Sequence, residues 1–74
     1  MNRIKQMRKE KGLTQLQVQM KTGIDQSDYS KIERGVRYPT VEQLSALAVL
    51  FGTSMDYLAE LTDEKTPYPA REKA

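Results

Sequence analysis

Residues 13–35 constrain this chain more than any other stretch, because two helix starts and one enforced stop fall within them. Thr14 and, three residues on, Gln17 match the capping box, in which hydroxyl and amide reciprocally bond free backbone N–H groups. Asp25 repeats the device, with Asp28 in the reciprocal position. Between them Gly23 stands where the first helix must end, and glycine takes a left-handed turn there without steric penalty. The pattern predicts two short helices joined at Thr22-Gly23, with Val18, Ile24, Tyr29 and Ile32 meeting across the turn. The solvent side of the second helix is then left with Gln26, Ser27, Ser30, Lys31 and Arg34. Amides, hydroxyls and cations without an apolar stripe suit a polar, anionic partner.

Composition narrows the options. The chain has 74 residues, near the lower limit at which a hydrophobic core alone sustains a domain. It contains no cysteine and no histidine, so disulfides, thiolate metal sites and the commonest general base are excluded. No glycine-rich loop resembles a phosphate cradle, and the acidic pair Asp63-Glu64 falls in a proline-containing stretch. An enzyme is not expected, nor a cofactor, a metal site or a small-molecule ligand. No apolar run approaches the ~20 residues of a membrane span, and no signal-peptide pattern opens the chain, so a cytoplasmic protein without membrane contact is expected. The net charge of +2 is too modest to diagnose a nucleic-acid partner, so the placement of the charges has to carry that argument.

Along the chain, residues 2–11 predict a first helix capped by Asn2 and stopped by Gly12, with Ile4 and Met7 on its inner side. Arg3, Lys5, Lys9 and Lys11 read as a solvated face, whereas Arg8 falls close to the apolar side. Leu16 and Met20, four apart, are either core or a small exposed strip, because Val18 claims the inward side. Thr40 and Gln43 form another capping box. Val41, Leu44, Leu47, Ala48 and Phe51 trace a helical period that predicts the principal core helix over 41–51, ended by Gly52. Ser54 caps a last short helix, with Met55, Leu58 and Leu61 as its apolar positions. From residue 63 to 74, through Pro67, Tyr68 and Pro69, periodicity ceases, and a flexible extended tail is expected beyond a domain at 1–62.

The order Thr14-Gln15, Val18, Gly23, Gln26-Ser27, Ser30-Lys31-Ile32-Glu33-Arg34-Gly35, Pro39, continuing through Leu44-Ala48 and Ser54-Met55-Asp56-Tyr57-Leu58, resembles the Cro/CI-type (XRE) helix-turn-helix regulators. The likeness covers roughly residues 2–62. Gln19 stands where that family usually has a small alanine, and Tyr29 where it usually has isoleucine or valine. The resemblance implies an all-α, compact five-helix, lambda-repressor-like DNA-binding domain. It further implies that Arg8 pairs with Glu33, and that Gln26, Ser27 and Lys31 read bases. It also places a dimer contact on DNA at Met55, Tyr57 and Leu61, which cannot all face the domain's own core together with Leu58.

The chemistry of the side chains agrees with that implication. Glutamine pairs in bidentate fashion with adenine, lysine donates to guanine O6 and N7, and serine adapts to several base edges. Asp28 could accept from cytosine N4, but its capping position already offers a partner, so capping is expected. Gln15 at a helix start, with Arg34, Arg37 and Tyr38 in the loop after the second motif helix, is expected to meet phosphates. The expected function is a sequence-specific DNA-binding transcriptional regulator, a repressor acting as a homodimer on a pseudo-palindrome in double-stranded DNA. The alternative is a protein-interaction module such as the antitoxin of a toxin–antitoxin pair. With no sensor segment in view, regulation is left to concentration, a partner protein or proteolysis.

Overall fold

Side-chain caps set the starts of four of the helices. The Thr14 N–H donates to Gln17 Oε1 at 2.9 Å, and the Gln17 N–H donates to Thr14 Oγ1 at 3.1 Å. Thr40 and Gln43 repeat the same reciprocal pair at 2.9 and 3.1 Å. Asp25 accepts from the N–H groups of Ser27 and Asp28, and Ser54 accepts from that of Tyr57 at 3.0 Å. Each bond satisfies a backbone donor that has no partner inside its own helix. The computed structural model describes residues 2–67, arranged as α1 (Asn2–Glu10), α2 (Gln15–Thr22), α3 (Gln26–Glu33), α4 (Val41–Phe51) and α5 (Met55–Leu58). No strand occurs among the described residues. Gly23 and Gly52, at φ 76° and 68°, close α2 and α4 in the left-handed region, where a Cβ would be strained.

One core joins all five helices. Ile4 and Met7 of α1, Val18 of α2, Tyr29 and Ile32 of α3, Leu47, Ala48 and Phe51 of α4, and Tyr57 and Leu58 of α5 are buried together, with Ile24 from the turn. Val41 departs from expectation, being 74% exposed. At ~100° per residue it lies about 70° around α4 from the centre of the stripe formed by Leu44, Leu47, Ala48 and Phe51. Leu16 and Met20 form the exposed strip, not core, at 63% and 76% exposure.

The expected solvated face of α1 holds for Lys5, Lys9 and Lys11 but not for Arg3. The Arg3 guanidinium lies 4.3 Å from the Tyr57 ring centroid and donates to the Tyr57 carbonyl at 2.9 Å. It also donates to the Thr62 carbonyl and pairs with Asp63 at 2.6 Å. A guanidinium can stack on an aromatic face while its N–H fork bonds in plane, which is why this arginine is drawn inward. Beyond α5 the described residues form no helix, yet residues 62–67 are tied back. Thr53 Oγ1 donates to the Lys65 carbonyl at 2.7 Å, and Lys65 Nζ pairs with Glu10 at 2.8 Å. The remainder of the expected tail, 68–74 including Tyr68, lies outside the described residues.

Leu61 is not on α5. That helix ends at Leu58, Glu60 takes a left-handed backbone (φ 64°), and Leu61 is 78% exposed. Tyr57 and Leu58 both reach the core, and Met55 is half-buried.

Candidate nucleic-acid interface

The exposed face of α3 follows from its local sequence. Asp25 fixes the first turn, and the helix turns Tyr29, Ile32 and Glu33 inward. Gln26, Ser27, Lys31 and, just past the helix, Arg34 are left exposed, with Ser30 half-buried. Asp25, Gln26, Ser27, Ser30 and Arg34 line one shallow polar depression. Arg34, Arg37 and Tyr38 lie in the loop that leads to α4, all exposed, Tyr38 at 82%.

Asp28 does not act as the reciprocal cap. Aspartate is one methylene shorter than the Glu or Gln of a capping box. Its carboxylate turns instead to Arg37 Nη1, at 3.1 Å. Arg37 is thereby folded back over the first turn of α3, with its side chain still 45% exposed. The sequence marks Asp28 as a cap and Arg37 as a phosphate contact, and the structure makes them partners.

Beneath the face lies a polar network centred on Glu33, whose side chain is 3% exposed. Arg8 Nε donates to Glu33 Oε2 at 2.6 Å, and its Nη2 donates to Oε1 at 3.3 Å. The Tyr29 hydroxyl donates to Oε2, and Gln15 Nε2 donates to Oε1 at 3.0 Å. Arg8 Nη1 also donates to the Leu13 carbonyl at 2.9 Å. One carboxylate therefore ties α1, α2 and α3 together. Burial opposes ionisation of Glu33, but donors from Arg8, Tyr29 and Gln15 outweigh it and hold the carboxyl below the usual glutamate range. Burial and the neighbouring Glu33 push the Tyr29 phenol far above its ordinary range, so it remains a neutral donor at any working pH. No buried side-chain N or O atom among the described residues lacks a partner. The Tyr29–Glu33 contact has a visible signal, since the two stand four apart on one helix. Gln15–Glu33 and Arg37–Asp28 have none, because each depends on how separate segments pack.

No group of acidic residues among the described ones could hold a metal ion, and none of the described helices is long and apolar enough to cross a membrane. A family model described as helix-turn-helix matches residues 4–58, most of the chain, from within α1 to the end of α5. The chain belongs to the XRE-type helix-turn-helix family.

Two curated relatives agree with this placement. An uncharacterized HTH-type transcriptional regulator of Sinorhizobium fredii, y4dJ, is 46% identical over 65 residues, covering 88% of this chain and 83% of the relative. YobD of Bacillus subtilis, also named an uncharacterized HTH-type transcriptional regulator, is 38% identical over 65 residues, 88% of this chain and 58% of its own length. No solved structure matches. In this helix-turn-helix regulator α2, the Gly23 turn and α3 form the motif, and its family is one of DNA-binding transcriptional regulators, not enzymes.

Proposed function

We propose that this regulator is a repressor that binds a pseudo-palindromic site in double-stranded DNA as a homodimer, acting in the cytoplasm. The observation that carries the reading is α3 itself, whose apolar side is wholly buried while Gln26, Ser27 and Lys31 project from the other side. In the major groove these three meet base edges, and Gln15, Arg34, Arg37 and Tyr38 meet the backbone on either side of α3. A single eight-residue reading helix spans few base pairs, so specificity calls for two copies with their α3 helices one DNA turn apart, ~34 Å.

Arg37 tests the backbone contacts. Its partner Asp28 sits on the same face, so Arg37→Ala removes a cation and also leaves a carboxylate unpaired near phosphates. Affinity is expected to fall about fivefold on every duplex, and the salt dependence to flatten by ~1 unit of slope per half-site. Adding Asp28→Asn should recover part of the affinity but none of the slope. A loss confined to one duplex sequence would assign Arg37 to base reading.

The dimer contact is placed at Leu61 and the exposed edge of Met55. Tyr57 supports that surface from beneath, being 8% exposed and covered by Arg3. A charge at Tyr57 would unfold the domain, so Leu61 is the informative site. Leu61→Asp is expected to leave the helical circular dichroism unchanged and to reduce cooperative filling of a duplex with two half-sites, with single half-site affinity preserved. Undiminished cooperativity would move the interface elsewhere.

A further inference from the structure

The two oxygens of Glu33 are shared unequally. Oε2 takes Arg8 Nε at 2.6 Å and the Tyr29 hydroxyl, whereas Oε1 takes Gln15 Nε2 at 3.0 Å and only a longer contact, 3.3 Å, from Arg8. Gln15 is exposed at the surface of α2, so its amide would ordinarily turn freely. Here its orientation is dictated, because an ionised carboxylate only accepts and Gln15 must direct its NH2 group, not its carbonyl, inward. A primary amide is planar and carries two N–H bonds. With one of them on Glu33, the direction of the other is set. A phosphate oxygen likewise only accepts, so an amide presented carbonyl first would repel it.

We propose that Glu33 and Tyr29 are positioning residues for Gln15, holding its amide so that the second N–H of Nε2 donates to a DNA phosphate oxygen. The proposal rests on the DNA-binding reading above and specifies how one of its contacts is made. Tyr29 acts from inside, since it is fully buried and cannot touch DNA. Its hydroxyl occupies Oε2 and keeps the Arg8 fork from closing evenly on both oxygens. Without it the carboxylate turns to a symmetric two-pronged pair with Arg8, and Oε1 is drawn away from Gln15.

The test combines NMR of the Gln15 side-chain amide with duplex affinity at several salt concentrations, on the full chain. In the free wild-type protein the two Gln15 amide protons are expected to differ widely in shift and exchange, and only the outer one should move on adding duplex. Tyr29→Phe should bring both toward the values of an unrestrained glutamine. Gln15→Met is expected to bind about tenfold more weakly with the salt slope unchanged, because a neutral donor displaces no counterion. Tyr29→Phe should bind about threefold more weakly, also without a change in slope, and the double variant no worse than Gln15→Met alone. Independent, multiplying losses would overturn the proposal, as would wild-type affinity for Gln15→Met. If Tyr29→Phe fails to fold, the wild-type amide signals decide, and unrestrained values overturn it. Absence of any duplex binding by the wild type would instead sink the DNA-binding reading itself.

Discussion

Arg8→Met is expected to bring this domain close to unfolding at ordinary temperature. The change removes both guanidinium contacts to Glu33 and the bond to the Leu13 carbonyl, leaving a carboxylate of 3% exposure held only by Tyr29 and Gln15. Stranding a buried charge in this way costs ~3–5 kcal/mol, against a total stability of ~5–15 kcal/mol for a native domain. In a domain of this size each 1 kcal/mol moves the thermal midpoint by roughly 4–8 °C, so the midpoint should drop by more than about 12 °C. Arg8→Met with Glu33→Leu should regain much of the loss, and Tyr29→Phe in addition should regain more by removing the orphaned hydroxyl.

The pH dependence should invert as well. In the wild type the folded pKa of Glu33 is depressed, so its contribution is present above the unfolded value and is lost only as pH falls through the folded one. In Arg8→Met burial dominates and the folded pKa rises above the unfolded one. The penalty is then present at neutral pH and shrinks as acid neutralises the carboxyl. Thermal melts from about pH 7 down to about pH 3, across the usual glutamate value and below it, would show it. A midpoint unmoved by Arg8→Met would mean that the pair contributes nothing to the fold.

Lys31→Ala should produce the largest loss of sequence preference. Lys31 lies one turn after Ser27, is exposed, and is held by no ion pair among the described residues. Its ammonium is free to enter the groove, where guanine presents two adjacent acceptors. Removal is expected to cost ~1–3 kcal/mol, about fivefold to 150-fold, on the preferred site and to relax preference at one base pair per half-site. Gln26→Ala should act alike at a neighbouring base pair. Titrations on matched, singly mismatched and random duplexes measure this directly. A uniform loss on all of them would make Lys31 a phosphate anchor and leave reading to Gln26 and Ser27.

What is legible in the sequence is whatever is decided locally. Thr14, Thr40 and Ser54 announce their helices because capping is settled within three residues, and Gly23 and Gly52 announce the stops for the same reason. The polar face of α3 is legible because period 3.6 sorts Gln26, Ser27 and Lys31 from Tyr29 and Ile32. Val41 misleads because an apolar residue at the margin of a stripe reads like one at its centre. Arg3 and Lys5 look alike in sequence, and only the approach of Tyr57 to α1 separates them. The pairing of Arg37 with Asp28, and of Gln15 with Glu33, depends on loop and helix placements that no spacing encodes.

Sequence-specific binding is tested most directly by selecting bound duplexes from a random double-stranded DNA pool with the wild-type protein. Enrichment of one motif with two inverted half-sites centred about one helical turn apart, ~10 base pairs, is expected. An asymmetric single motif would contradict the homodimer. Failure to enrich any sequence above the input pool would contradict sequence-specific binding altogether, and would favour a protein-interaction role in its place.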